Sequence, residues 1–175
     1  MMREPLRVAF RAQLVIAEQR QLFDYWLGRA AGAQMPARRD IRPADIPHLL
    51  PNISLIEILR SPCRLRFRLA GTRVRDIYDR EVTGLCLDDI DWGGQAEYWR
   101  TAHVRVAETG RPAQGVVRSL RASKDHLVHF WLRLPLVTDG PEAGMILGYD
   151  VSVPVSEMPG AVEAPAYFSP AAAMA

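Results

Sequence analysis

Cysteine is scarce in this sequence of 175 residues, and long apolar runs are missing. Cys63 and Cys86 form no metal-binding spacing, and two cysteines are too few for a small disulfide scaffold. Apolar runs such as residues 14–17 end well short of the ~20 residues that a membrane-spanning helix needs. The N-terminal residues also lack the apolar core of a secretory signal. We therefore expect a protein of the reducing cytoplasm with no membrane partner.

An excess of charge of one sign is also lacking, because the formal net charge is only +2 and basic residues alternate with acidic ones. A nucleic-acid-binding protein would be expected to carry a stronger basic footprint, so we expect no nucleic-acid partner. Hydrophobic residues make up 49% and charged residues 24%, which is typical of a packed globular domain. The length fits one such domain.

Proline is absent between residues 6 and 32, and the spacing of apolar residues there predicts a single N-terminal helix that ends at glycines. Four prolines between residues 35 and 51 then exclude a long helix, apart from a short turn after Pro43. We expect the apolar stripe of the N-terminal helix to be formed by Phe10, Leu14, Ala17, Leu22, Tyr25 and Trp26.

Two patterns predict an antiparallel sheet. Residues 53–59 are rich in β-branched side chains. In the next segment Leu65, Phe67 and Leu69 alternate with arginines, which predicts one buried face and one wet face. Three further strands are predicted at about residues 113–120, 126–137 and 143–153, and helices at 71–79 and 94–109. This order predicts an α+β fold with a five-stranded antiparallel sheet, helices on one face and a preceding N-terminal helix.

The sequence divides into three segments. We expect an N-terminal helix at residues 1–33, an α+β domain at 34–153 and a tail at 154–175. The tail is rich in proline and alanine and has no sustained period, so we expect it to be poorly ordered. Its large aromatic residues are Tyr167 and Phe168.

Several short motifs carry a resemblance to a known family. They are Tyr25-Trp26, residues 35–41 (MPARRDI), 46–52 (IPHLLPN), 67–73 (FRLAGTR), 81–84 (EVTG), 134–136 (LPL), Asp139-Gly140 and 146–148 (ILG). In this order the sequence resembles the small, stand-alone bacterial PAS proteins, which are largely alphaproteobacterial. The resemblance implies a sheet cupped around a small cavity and a non-enzymatic role in bacterial signalling, as a ligand sensor or a protein-contact module. It also implies a separate output protein.

Aromatic residues from several elements are the candidate lining of that cavity. They are Phe67, Tyr78, Trp92, Trp99, Phe130 and Trp131. Ligand pockets are mostly apolar with a few polar anchors, and the candidate anchors are Arg73, His103, His129 and Arg133. The alternative is that the aromatic side chains simply fill the core. The identity of any ligand stays open.

Cofactor and metal chemistry is not favoured. Some PAS sensors bind haem through a histidine on the long helix, where His103 lies, but a hydrogen-bonded or solvated histidine is the simpler interpretation. Cys86 lacks the Asn-Cys-Arg-Phe-Leu-Gln motif of flavin photosensors, so we expect an inert thiol. Asp88, Asp89 and Asp91 lack the spacing of a calcium loop and suit a turn or a helix start. No nucleophile elbow or glycine-rich nucleotide loop is present, so we expect no enzymatic activity.

A second copy of the chain is the expected partner. We expect a homodimer through the N-terminal helix, with Phe10, Leu14 and Leu22 as the seam. The alternative is that this helix folds back on its own sheet. The alternative function is a small α+β-cone enzyme or carrier, with His103 or one of the three aspartates as the acid–base group of the pocket. A structural adaptor, the third interpretation, predicts a filled core and an exposed apolar patch.

Overall fold

The computed structural model describes residues 4–60, 63–119, 124 and 126–158. Five strands form one antiparallel sheet in the order β2-β1-β5-β4-β3. They are β1 (Ile53–Arg60), β2 (Cys63–Ala70), β3 (Ala113–Arg118), β4 (Leu127–Val137) and β5 (Ala143–Pro154). The predicted α+β class and five-stranded antiparallel sheet are confirmed. The predicted tail, with Tyr167 and Phe168, lies outside the described residues after position 158.

In the part of the chain that the structure describes, four α-helices and several short 3-10 turns connect and cover the strands. The helices are α1 (Glu4–Gln13), α2 (Ala17–Ala30), α3 (Thr72–Tyr78) and α4 (Ala96–Thr109). The proline-rich segment forms only 3-10 turns, at Arg38–Asp40, Pro43–Asp45 and Pro47–Asn52. Within the described ranges, no helix is long and apolar enough to cross a membrane.

The predicted helical N-terminal segment is confirmed, but the expectation that it is one continuous helix was wrong, because it forms two. The chain leaves the helix after Gln13, and Ile16 is extended, with φ −83° and ψ 127°. β-Branched residues such as Val15 and Ile16 lower helix propensity at this point. Arg20 stabilises the break, because its Nη1 donates to the carbonyl oxygen of Leu14 at 2.6 Å. The break lets α1 and α2 pack at different angles on the same core.

One face of the sheet, called the outer face here, is covered by α1 and α2. Phe10, Leu14 and Leu22 are buried there in a core shared with Leu132, Leu134 and Leu136 of β4. The indole Nε1 of Trp26 donates to the carbonyl oxygen of Pro135 at 2.9 Å. The three residues predicted as a dimer seam therefore fold back on their own sheet and are not available to a partner.

The opposite face, called the inner face, is covered by α3 and α4. Val74 and Tyr78 of α3 and Val106 of α4 pack there with Ile56 of β1 and Ile146 of β5. The predicted placement of α3 and α4 on one face is thus confirmed. Because helices cover both faces, β4 is buried without interruption from Val128 to Leu136.

The predicted alternation of β2 was wrong at one position. Leu65 and Phe67 are buried, but Leu69 is 47% exposed. The cause is a register shift, because Ile56 pairs with Phe67 whereas Leu55 pairs with Leu69. The extra residue in β2 reverses the direction of the side chains that follow it.

Candidate functional site

A buried ion pair lies on the inner face of the two central strands. In the β4–β5 register Arg133 is opposite Gly148, and Asp150 is opposite Trp131, so the two charged residues are diagonal neighbours. Arg133 Nη2 donates to Asp150 Oδ1 at 2.9 Å, and Nη1 donates to Oδ2 at 3.1 Å. Neither side chain has solvent-exposed area. Gly148 leaves room for the guanidinium, since a Cβ there would lie 3.1 Å from Arg133 Nη1.

The guanidinium of Arg133 uses its remaining donors within the protein. Nε donates to His103 Nε2 at 2.9 Å, and Nη1 also donates to the carbonyl oxygen of Leu132 at 3.0 Å. Nη2 also donates to the hydroxyl of Tyr78 at 3.4 Å. All five N–H groups of an arginine therefore have acceptors here. Arg133 has no donor left to act as the predicted anchor for a ligand carboxylate or phosphate.

Asp150 is the charged partner that makes this arrangement stable. Burial by itself would raise the pKa of Asp150, but the charge of Arg133 and the hydrogen bond from His129 hold that pKa below its usual range. The carboxylate is therefore ionised and accepts only. His129 Nε2 lies 2.8 Å from Asp150 Oδ1, so this nitrogen must carry the proton and donate.

His103 is sealed inside the same network. Its Nδ1 donates to the carbonyl oxygen of Trp99 at 2.7 Å, which leaves Nε2 as the acceptor for Arg133 Nε. Burial and the neighbouring Arg133 charge lower the pKa of His103 to about 3, so the imidazole is neutral. Both ring nitrogens are occupied, and an iron ligand at His103 would have to displace Arg133. The residues present do not fit haem.

A cavity of about 340 Å³ opens beside this network. It lies between α3, the start of α4 and the adjacent ends of β3, β4 and β5. Its lining residues are Ile77, Tyr78, Asp91, Trp92, Gly93, Gln95, Trp99, Val117, Arg118, Ser119, Lys124, Leu127, His129 and Ser152. The cavity size is within the range of small-ligand pockets.

Three predicted aromatic residues and one predicted anchor meet at this cavity. The rings of Trp92 and Trp99 lie 5.1 Å apart and are tilted by 31°. Tyr78 meets Trp92 edge to face at 5.3 Å, and His129 lies 5.4 Å from Trp99. The structure thus brings Tyr78, Trp92, Trp99 and His129 together as a continuous aromatic wall.

The other predicted ligand-binding residues lie outside the cavity lining. Phe67 packs in the core below α3, and Trp131 donates its Nε1 hydrogen to the hydroxyl of Tyr98 at 2.9 Å. Phe130 is directly opposite Val151 in the β4–β5 register, so the two side chains lie on the same face. Because Val151 packs against the outer core, Phe130 is on the outer face, away from the cavity. Arg73 is exposed on α3. His103 is buried behind Trp99, as described above.

The candidate metal and thiol residues have simple structural roles. Asp88 forms an ion pair with Arg100 at 2.9 Å, and Asp91 Oδ1 accepts from the amide of Gly93 at 2.9 Å. Among the residues that the structure describes, no group of three or more metal-ligating side chains is present. Cys86 is a half-buried free thiol whose backbone bridges to Arg66 at the edge of β2. It is not part of the cavity lining.

Asp150 is the site residue that the sequence analysis missed. A signal for it was present, because Asp150 and Arg133 are single charged residues inside otherwise apolar strand segments. A charged residue is almost never fully buried unless it is paired. Two such residues on neighbouring predicted strands could have been read as an internal pair.

Comparison with known proteins agrees with this architecture. A family model described as PAS domain matches residues 15–150. No curated protein matches the sequence significantly. Among solved structures, the Rhodobacter sphaeroides LOV protein is 17% identical with a TM-score of 0.47, and the match covers 60% of this chain and 60% of that one. A PAS domain from Colwellia psychrerythraea is 10% identical with a TM-score of 0.45, and the match covers 63% of this chain and 96% of that one. Because the family model spans most of the sequence, the chain belongs to the PAS domain family.

Proposed function

We propose that this chain is a non-enzymatic sensory module of bacterial signalling, which binds a small molecule in the aromatic cavity and signals to a separate protein. One observation carries the proposal. His129 lines the cavity and donates a hydrogen bond to Asp150, which is paired with Arg133. A ligand that contacts His129 would therefore act on a network that reaches α3 through Tyr78 and α4 through His103.

The same network also connects the cavity to the outer face of the sheet. Arg133 Nη1 donates to the backbone carbonyl of Leu132, and the side chain of Leu132 packs in the core shared with α2. Trp26 of α2 is held by the carbonyl of Pro135 on the same strand. Binding at the cavity would then shift the balance between two packings of the N-terminal helices on the sheet.

A homodimer through the N-terminal segment is part of this proposal. With Phe10, Leu14 and Leu22 buried, the large apolar side chains of α1 that are exposed are Leu6, at 41%, and Val8, at 60%. These two side chains are the candidate dimer contact. The free thiol of Cys86 is in keeping with work in the reducing cytoplasm.

The alternative of a cone enzyme or carrier has less support. Of its candidate acid–base groups, His103 is buried outside the cavity lining. Asp91 does line the cavity, but its Oδ1 accepts from the backbone amide of Gly93 at 2.9 Å. Ser152 is directly opposite His129 in the β4–β5 register, which would suit a nucleophile beside a base. In the described part of the chain, however, no hydrogen bond joins the hydroxyl of Ser152 to His129. A sensor needs no such contact.

The proposal is tested by filling the cavity and following the N-terminal helices. In Ser152→Phe the new ring occupies the cavity floor, and Leu69→Phe adds the same ring at an exposed site as the control. We expect hydrogen exchange of residues 4–30 to change in Ser152→Phe and to stay as in wild type in Leu69→Phe. Unchanged exchange in both variants would contradict the sensor mechanism. Native mass spectrometry of the same samples reports the subunit number, and a monomer would contradict the dimer.

A further inference from the structure

The chemistry of the cavity restricts the class of ligand that it can bind, because most polar groups in the lining already form hydrogen bonds or ion pairs within the protein. Gln95 donates to the carbonyl oxygen of Arg118 at 3.1 Å and accepts from Trp99 Nε1 at 3.3 Å. Trp92 Nε1 donates to the carbonyl oxygen of Leu87 at 2.7 Å. Lys124 forms an ion pair with Asp79. These bonds hold the lining side chains in place, so the same groups are not available as strong hydrogen-bond partners for a ligand.

Two polar atoms on the sheet side of the cavity differ from the rest. They are Nδ1 of His129 and the hydroxyl oxygen of Ser152, and neither makes a hydrogen bond to any residue that the structure describes. His129 and Ser152 are direct cross-strand partners and both line the cavity, so their side chains are neighbours on the sheet side of it. A bound molecule is the natural partner for both.

The hydrogen bond to Asp150 determines how the imidazole of His129 can bond to a ligand. Asp150 is ionised and accepts only, so Nε2 of His129 carries the hydrogen of this bond. In the tautomer with its single hydrogen on Nε2, Nδ1 has a lone pair and accepts a hydrogen from the ligand. The carboxylate behind the ring also stabilises the positive charge that develops on the imidazole when it accepts, which strengthens this bond.

The shape and charge of the cavity set the remaining features of the ligand. Trp92, Trp99 and Tyr78 form a wall of rings, which favours a flat aromatic molecule. The volume of about 340 Å³ is at the small end of the range for ligand pockets and suits one or two fused rings. The charge of Arg133 is neutralised internally by Asp150, and Lys124 by Asp79. The other two charged residues of the described lining, Arg118 and Asp91, are exposed and of opposite sign, so an uncharged ligand fits better than an ion.

We propose that the cavity binds a small, uncharged, planar aromatic compound that donates one hydroxyl or N–H hydrogen to Nδ1 of His129. The hydroxyl of Ser152 accepts or donates beside it. This inference rests on the proposed sensory function, and it names the class of ligand that the function uses. Within that class, His129 favours ligands that donate a hydrogen bond over ligands that do not. Trp92 contributes affinity for both kinds of ligand by packing against their rings.

A matched pair of probes tests the inference. 2-Naphthol has a hydroxyl donor, and 2-methoxynaphthalene has the same rings without it. We expect 2-naphthol to bind wild type by calorimetry roughly 5- to 10-fold more tightly, which is the effect of one buried hydrogen bond. His129→Phe should remove this preference while both probes still bind. Trp92→Ala should weaken both probes by a similar factor and keep the preference.

A spectroscopic measurement makes the test independent of how well the variants fold. In wild type labelled with ¹⁵N-histidine, 2-naphthol should shift the Nδ1 resonance of His129, and the methyl ether should not. Equal affinity for the two probes, or no shift at Nδ1, would overturn the proposed donor contact. Binding of neither probe would overturn the proposed ligand class. The sensor mechanism is judged separately by hydrogen exchange in Ser152→Phe, which needs no ligand, so the two failures are distinguishable.

Discussion

The two faces of β4 are equally buried and chemically different. Toward the outer face the strand presents apolar side chains, among them Leu132, Leu134 and Leu136, which pack in the core shared with α1 and α2. Toward the inner face it presents His129 and Arg133, which bond to other side chains of the interior. Burial therefore does not by itself determine composition. The outer face is built as an ordinary core, and the inner face is built around a charged network beside a cavity.

The energetics of the two faces differ accordingly. Each buried leucine on the outer face contributes about 1.5–3 kcal/mol relative to an exposed one. On the inner face, the desolvation of Arg133 and Asp150 offsets most of their attraction, and a well-packed apolar pair is often as stable or more so. The ion pair is therefore poorly explained by stability alone. Its contact with His129 at the cavity is in keeping with the sensory function that we propose.

The largest expected effect comes from breaking the ion pair on one side. Asp150→Leu leaves the charge of Arg133 buried without its counter-ion, and we expect the free energy of unfolding to fall by about 3–5 kcal/mol. Arg133→Met combined with Asp150→Leu removes both charges, and we expect it to regain most of that loss. Urea denaturation at neutral pH measures both.

An outer-face variant is the matched comparison. Leu134→Ala should cost about 2–5 kcal/mol through the cavity that it leaves, a loss that Arg133→Met should not repair. If Asp150→Leu and the double variant were equally unstable, the pair would be a structural requirement. The contrast between the two faces would then be wrong.

Acid should weaken the inner face through His103. The pKa of His103 is lowered from 6.5 to about 3 in the folded protein, so between these values the unfolded chain binds a proton that the folded chain excludes. Stability then rises with pH in this window and is lost as the pH falls, by up to about 1.4 kcal/mol per pH unit. We expect a shallower pH dependence in His103→Gln, because glutamine offers one donor and one acceptor without titrating.

Other groups titrate in the same window, so the informative quantity is the difference between wild type and variant. Unfolding free energies from chemical denaturation at several pH values between about 4 and 7 give both slopes. Val106→Ala, on the same helix, is the control, since it should lower stability by the same amount at every pH. Equal slopes for wild type and His103→Gln would mean that His103 is protonated in the folded protein.

Local patterns predicted most of the sheet. Alternating and β-branched segments marked the strands, and the order of elements together with short motifs such as residues 46–52 indicated the family. The break at Val15 and Ile16 was missed, because it depends on Arg20 and on packing against the sheet as well as on weak local propensity. Tertiary contacts of this kind leave no period in the sequence.

The candidate site was predicted only in part, for two different physical reasons. Phe130 could have been excluded, because strand alternation puts it and Trp131 on opposite faces. The ion pair between Arg133 and Asp150, by contrast, could not have been derived from strand alternation alone. It depends on the register of β4 against β5, which places the two residues diagonally. Whether Tyr78, Trp92 and Trp99 leave a cavity depends on side-chain packing in three dimensions.

The smallest expected effect tests the reversal of side-chain direction in β2. Alternation treats Leu65 and Leu69 as equivalent core residues, but the register shift leaves Leu69 half exposed and Leu65 buried. We expect Leu69→Ala to change the free energy of unfolding by no more than about 0.5 kcal/mol, and Leu65→Ala to lower it by about 2–5 kcal/mol. Thermal and urea denaturation of the two variants give the comparison. Similar losses in both would mean that β2 keeps its alternation to the end and that Leu69 is covered in solution. A loss confined to Leu65→Ala would establish that the bulge, and not the sequence pattern alone, decides which side chains of this edge strand enter the inner core.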